Sequence, residues 1–172
     1  MSRLFYALWP DDRTRARLAA VADALPQRPG RRETTANLHI TLLFLGSIAA
    51  AERDRLVTGT AAIVGTPFSL ELDHCGWWRT ARVAWLAPTR IPAPLLQLAS
   101  DLRQLAHAAG IRTDERPYRP HMTLARKVNR APGHVEFPPV RWDIDGFSLL
   151  ESSPGGAGSR YRQLARWPLN RA

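Results

Sequence analysis

Two four-residue stretches bring together groups able to move protons: His39-Ile40-Thr41-Leu42 and His121-Met122-Thr123-Leu124. They lie 121 − 39 = 82 residues apart in a chain of 172. Each sits in an apolar run of strand character, and in a strand residues i and i+2 share a face. His39 and Thr41, like His121 and Thr123, therefore stand on one side, with Ile40, Leu42, Met122 and Leu124 on the other. If the strands are neighbours, two imidazoles and two hydroxyls converge. Imidazole titrates near neutrality, so one ring can remove a proton while the other delivers one. Threonine hydroxyls can hydrogen-bond the non-bridging oxygens of a phosphate. Such a set suits opening of a cyclic phosphodiester, with one His activating water and the other protonating the departing sugar oxygen. The near-identical motifs leave open which His does which. A metal site would want a carboxylate beside the imidazoles, and neither motif has one, so no metal and no cofactor is expected.

The elements that must position these groups can be read in order. Residues 3–9 form an apolar strand, and Pro10-Asp11-Asp12 begins a helix to Leu25 with Leu18, Val21, Ala22 and Leu25 at helical spacing. Residues 26–32 are a basic loop. The first motif strand runs from Leu38 to Leu45 and stops at Gly46, and a helix follows over residues 49–64. Residues 68–74 alternate as a half-buried strand, Gly76-Trp77-Trp78 bulge or turn, and residues 82–86 make another strand. Leu95, Leu98, Leu102 and Leu105 mark a helix over residues 91–109, with Gly110 as its cap. The second motif strand is residues 121–127. An alternating strand over residues 140–150 with a bulge at Gly146, a Gly/Ser hairpin and a strand over residues 161–169 close the chain. Strands linked by hairpins and interleaved with helices predict an α+β or mixed α/β fold with antiparallel pairing and helices packed outside, in one chain with no linker long enough to separate domains. The two motifs suggest a duplicated architecture in which each half presents one His and one Thr to a shared cleft.

Composition narrows the partners. The net charge is +9, carried almost wholly by arginine with Lys127 the only lysine. The arginine fork suits phosphate, so a polyanion fits, although an arginine-rich composition accounts for the charge equally well. Cys75 is the only cysteine, which rules out an internal disulfide and cysteine-based zinc sites. No apolar run approaches the roughly 18 residues of a membrane span. The N-terminal apolar run stops at Trp9-Pro10 without a cleavage signature, so no signal peptide and a cytoplasmic location are expected. His74, His107 and His134 read as structural or solvated, and Cys75 as a core thiol. Gly155-Gly156-Ala157-Gly158 joins two strands and reads as a hairpin rather than a nucleotide loop.

With their flanks, the motifs resemble the two-histidine phosphoesterase superfamily, and within it the RNA 2′,3′-cyclic phosphodiesterases, or LigT-like 2′-5′ RNA ligases. The resemblance runs through residues 3–8, 37–46, 119–126, 147–152 and 161–167. It implies a single two-lobed α+β domain over residues 1–172, with pseudo-symmetric lobes whose antiparallel sheets line a central cleft and helices packed outside. It implies hydrolysis of an RNA 2′,3′-cyclic phosphate end to a 2′-phosphate without metal, and 2′-5′ ligation as the same chemistry reversed. It implies His39 as general acid, His121 as general base, and Thr41 and Thr123 as phosphate holders. It also implies that Phe44 stacks on a base and Arg126 meets phosphate or base. Both stand five residues after a His, where simple alternation puts them on the opposite face. They reach the cleft only where the strand twists, bulges or ends before them. Tyr118 and Arg119 precede the second His at the cleft rim. RNA is thus the expected partner of a monomer with no membrane and no obligate protein partner. Two other readings stand beside this one. The same site could serve small cyclic nucleotides, ADP-ribose cyclic phosphate or 2′-5′ oligonucleotides. A basic RNA-binding module without turnover is the third, against which two intact motifs argue.

Overall fold

The structure, a computed structural model, describes residues 2–25, 30–133, 135–155 and 158–170. Strand β1 (Ser2–Leu8) turns Leu4, Tyr6 and Leu8 into the main core and Phe5 and Ala7 to its other face. Helix α1 (Asp12–Ala24) starts where the Asp11 carboxylate accepts from the Thr14 amide at 2.7 Å, and buries Leu18, Val21 and Ala22. The expected loop over residues 26–32 is partly strand. Residues 26–29 lie outside the described residues, and β2 (Arg31–Arg32) pairs with a later strand. A 3-10 turn (Thr35–Asn37) leads into β3 (Ile40–Ile48), which does not stop at Gly46. That glycine adopts φ 76° and the pairing continues to Ile48.

Helix α2 (Ala50–Thr60) is shorter than expected, because the amides of Ala62 and Ile63 turn back to the carbonyls of Gly59 and Thr60. Its end is pinned to β1. The Thr60 hydroxyl donates to the Leu56 carbonyl, so the Tyr6 hydroxyl is the donor in the buried 2.6 Å bond to Thr60. Next come β4 (Phe68–Leu72), β5 (His74–Trp78) and β6 (Val83–Ala87). The Gly76-Trp77-Trp78 stretch is therefore regular strand, neither bulge nor turn. It pairs along its length with β6, and the Trp85 indole fills the space where a Gly76 Cβ would stand.

Helix α3 (Ala93–Ala108) buries Leu95, Leu98 and Leu102, and Gly110 closes it at φ 80°. The last strands are β7 (Met122–Arg126), β8 (Val140–Ile144), β9 (Gly146–Gly155) and β10 (Gly158–Pro168). The single strand expected over residues 140–150 is two strands in different sheets, divided at Asp145.

The described strands form an eight-stranded sheet ordered β10-β9-β1-β3-β7-β6-β5, with β2 on β7, and a two-stranded sheet of β4 and β8. Every pairing between described strands is antiparallel. One sheet thus carries both halves, where a sheet from each lobe was expected. Helix α3 packs on β3, α2 on α3, and α1 against β8 and the 3-10 turn. The mixed helix and antiparallel-sheet class read from the sequence is what the chain forms. Strands β3 and β7 meet at one pair, Ile40 opposite Met122. These follow the two histidines and are themselves 122 − 40 = 82 residues apart, so an approximate twofold axis passes between the motifs. Among the described residues no helix is long and apolar enough to cross a membrane.

Candidate active site

His39 is set by the segment before it. Arg15, reaching across from α1, donates to the carbonyls of Thr35, Ala36 and Leu38 at 2.9–3.3 Å and of Pro10 at 2.8 Å. Its guanidinium lies over the Trp9 ring, 4.6 Å from the centroid. The one carbonyl of residues 35–38 outside Arg15's reach, that of Asn37, accepts from His39 Nδ1 at 2.6 Å. A carbonyl only accepts, so Nδ1 carries the proton and Nε2 is the basic nitrogen of the neutral ring. Nε2 lies 3.1 Å from Thr41 Oγ1, whose hydroxyl donates to it while the ring is neutral. The ring packs on Phe5 and Tyr161, centroids 5.1 Å from each, with Trp9 at 6.2 Å. Burial on this apolar floor pulls its pKa down to about 4, against the opposing pull of the Asn37 carbonyl and the Glu33 charge.

His121 repeats the pattern. Its Nδ1 donates to the carbonyl of Arg119, again two residues earlier, at 2.8 Å. Its ring stands edge-on to Trp78 at 4.5 Å. Burial lowers its pKa too, and the Arg126 charge adds to the lowering. Thr123 is half-buried two residues on, the position that Thr41 holds relative to His39.

The strand irregularities decide where the fifth residues go. Along β1 the partner of Tyr6 is Leu43 and that of Ala7 is Thr41, so Leu42 is an extra residue in β3. Along β6 the partner of Ala84 is Ala125 and that of Trp85 is Thr123, so Leu124 is an extra residue in β7. Each is a β-bulge, and each shifts side-chain parity by one. Leu42 with Leu43, and Leu124 with Ala125, are buried in succession. Phe44 and Arg126 then emerge on the face of Thr41 and Thr123. The condition set by simple alternation is met in both halves by the same device, 124 − 42 = 82 residues apart.

Two cavities share Thr41 and Phe44 as common wall. The first, about 400 Å³, adjoins His121 and is walled by Phe44, Trp78, Pro117 and Tyr118, with Arg103 and Arg119 also lining it. The Tyr118 hydroxyl donates to the Thr41 carbonyl at 3.1 Å, so this residue both walls the cleft and ties the second motif's approach to the first motif strand. The second cavity, about 430 Å³, adjoins His39 and is polar. Arg3, Arg31, Glu33, Arg126 and Tyr161 line it. The Arg3 guanidinium also lies over Phe44, 5.5 Å from the centroid. Arg126 Nε donates to Glu33 Oε2 at 3.1 Å, and the Glu33 side chain is 9% exposed.

His39, Thr41, Phe44, Tyr118, His121 and Arg126 all line this cleft, and Thr123 stands on the same strand face. Arg15, Glu33, Trp78 and Tyr161 had escaped sequence reasoning. Trp78 belonged to a stretch read as a bulge or turn, and the others arrive through long-range packing that no local pattern announces. The remaining histidines lie elsewhere. His74 is exposed against Trp85 at 5.5 Å, His107 bonds Thr113 at 2.9 Å, and His134 lies outside the described residues. Cys75 is half-buried and its burial raises the thiol pKa to about 11. Among the described residues no group of three or more His, Cys, Asp or Glu is placed to hold a metal ion.

Two imidazoles of matched tautomer, each followed two residues on by a threonine, line adjoining cavities and present groups able to remove one proton and deliver another. The sequence model of the 2′-5′ RNA ligase superfamily matches residues 8–156. The RNA 2′,3′-cyclic phosphodiesterase of Escherichia coli (strain K12) is 37% identical over 153 residues, covering 86% of this chain and 85% of that protein. The RNA 2′,3′-cyclic phosphodiesterase of Thermus thermophilus is 33% identical, covering 97% and 90%. The crystal structure of E. coli LigT complexed with 3′-AMP superimposes with TM-score 0.88 at 34% identity, covering 99% of both chains. The chain belongs to the 2′-5′ RNA ligase superfamily.

Proposed function

We propose that this protein hydrolyses RNA ending in a 2′,3′-cyclic phosphate to a 2′-phosphomonoester. The matched imidazole pair carries this reading, because the reaction needs one proton removed and one delivered in the same event. Relatives of that named activity at up to 37% identity support it. In this reading the phosphate lies between the rings. His121 Nε2 takes a proton from water as its oxygen bonds to phosphorus. The P–O3′ bond breaks, and His39, carrying a proton on Nε2, transfers it to O3′. The Thr41 and Thr123 hydroxyls and Arg126 hold the non-bridging oxygens, where negative charge gathers. The apolar cavity beside Phe44, Trp78 and Tyr118 takes the terminal base, stacked on an aromatic face. A ribose 5′-hydroxyl in place of water would form a 2′-5′ bond by the same steps.

The test is incubation of a cyclic-ended oligonucleotide in chelator, with the phosphate position identified in the product. His39→Ala and His121→Ala should each lower turnover about 10²–10⁴-fold while the chain stays folded. Full turnover in either variant overturns the reading, as does a 3′-phosphate product. Loss of wild-type turnover in chelator returns the question to metal chemistry.

A further inference from the structure

The two motifs share backbone, tautomer and bulge, and what surrounds them differs. The twofold relation points to where. Glu33 sits six residues before His39. Its counterpart, 33 + 82 = 115, is Glu115, an exposed residue lining a separate cavity beside His107. Glu33 instead lines the His39 cavity and uses both oxygens. Oε1 accepts from Asn37 Nδ2 at 3.2 Å and Oε2 from Arg126 Nε at 3.1 Å. Asn37 is the residue whose carbonyl fixes His39 Nδ1, and its side chain also donates to the Ser159 carbonyl at 2.7 Å. One carboxylate therefore joins the segment that sets His39 to the fifth residue of the other motif. The Glu33 amide adds a 2.9 Å bond to the carbonyl of Leu124, the bulge residue that turns Arg126 into the cleft.

We infer that Glu33 is a positioning residue that aims Arg126 at the phosphate and holds the transferable proton on His39. The inference rests on the phosphodiesterase reading for what the proton does. A carboxylate in a phosphate cleft repels substrate unless a cation answers it, and here Arg126 does. Because Glu33 occupies the Nε–H, phosphate contact falls to the Nη groups. Around His39 the charged and titratable groups are Glu33, Arg126, His121, Tyr161, Arg3 and Arg31. Glu33 is the one acid among them. Around His121 stand Arg103, Arg116, Arg119, Arg126 and Asp114, and the Asp114 carboxylate is engaged by Arg116. The Glu33 charge thus favours protonation of His39, while Arg126 opposes it at both rings. Burial opposes a charge on either ring, a bound phosphate anion pulls protons toward both, and the Glu33 charge adds to that pull at His39 alone.

The test titrates the imidazole NMR resonances of the full chain with inorganic phosphate bound, in wild type, Glu33→Gln and Glu33→Asp. Glu33→Gln should lower the His39 pKa by about one pH unit, move His121 less, and Glu33→Asp should restore part of the difference. On a cyclic-ended oligonucleotide the alkaline limb of kcat should move down by the same interval, about tenfold in rate at pH 8. KM should rise at every pH as Arg126 loses its anchor. A His39 titration unmoved by Glu33→Gln, or a shift of equal size at both rings, overturns the inference. If Glu33→Gln does not fold, a His39 titration in Glu33→Asp equal to wild type overturns it in the same way. Absence of wild-type turnover with the His39 shift intact defeats the phosphodiesterase reading and leaves the placement of the proton standing.

Discussion

Acidification is a direct test of how His39 is held. The ring lies on Phe5, Trp9 and Tyr161, and burial takes its pKa from 6.5 to about 4. Between those values the unfolded chain binds a proton that the folded chain refuses. Stability contributed by the neutral ring is therefore whole above the unfolded pKa and is lost as the pH falls toward the folded one. The linkage relation with these two pKa values gives a loss of about 2 kcal/mol between pH 7 and pH 4.5. Urea unfolding of wild type and His39→Gln at both pH values isolates this amount, because the carboxylates that titrate over the interval are common to both proteins. His39→Gln should lose about 2 kcal/mol less than wild type across the interval. Equal losses would refute the reasoning that the ring is buried neutral. Sulfate bound between the rings should favour charged His39, and so narrow the wild-type loss at pH 4.5 more than it does for His39→Gln.

The same depressed pKa values set the activity profile: kcat/KM, which reports ionisation of the free protein, should peak below pH 6.5, and an optimum above neutrality would contradict it. Phe44→Ala should raise KM about 5–100-fold for a cyclic-ended oligonucleotide, the equivalent of one base–aromatic stack, and leave kcat within a few-fold; steady-state kinetics with unchanged KM would remove Phe44 from the base site. Tyr118→Phe removes one bond to the Thr41 carbonyl and should cost about 1 kcal/mol in urea unfolding. Gly76→Ala drives a Cβ into the Trp85 indole and should displace the Trp85–Trp78 pair that backs His121. Near-ultraviolet circular dichroism identical to wild type would refute that packing.

How far the sequence could be read depended on the range of the interaction. The motif histidines and threonines, the helices and most strands follow from periods of two and 3.6 residues, which neighbours along the chain enforce. Most of the failures involve a partner on another strand. The Gly76-Trp77-Trp78 stretch was expected to bulge or turn, whereas it is regular strand and Trp85 from the next strand occupies the space above Gly76. Residues 140–150 looked like one strand because alternation continues through Gly146. What divides them is the choice of partner, β4 for the first part and β1 with β10 for the second. Glu33 and Tyr161 are invisible for the same reason. Glu33 reaches the cleft only because β2 pairs with β7, and Tyr161 only because β10 folds back on β9.

The bulges bear most directly on how two similar motifs come to do different work. In a regular strand, a His and the residue five positions later cannot serve one face. One extra residue at Leu42 and one at Leu124 remove that conflict without disturbing the His-x-Thr spacing, since both lie after the threonine. The backbone then delivers the same two polar groups and the same fifth position on each side of the axis, and chemistry diverges only in what occupies them. Phe44 places an aromatic ring at that position. Arg126 places a charge there, and beside that charge a largely buried carboxylate can be tolerated. Glu33 is compatible with the proposed phosphate site because the fifth residue after the second motif's His is arginine. The proposed difference between the two histidines thus rests on Glu33 and on the residues five positions after each His, Phe44 and Arg126, and not on the motifs themselves.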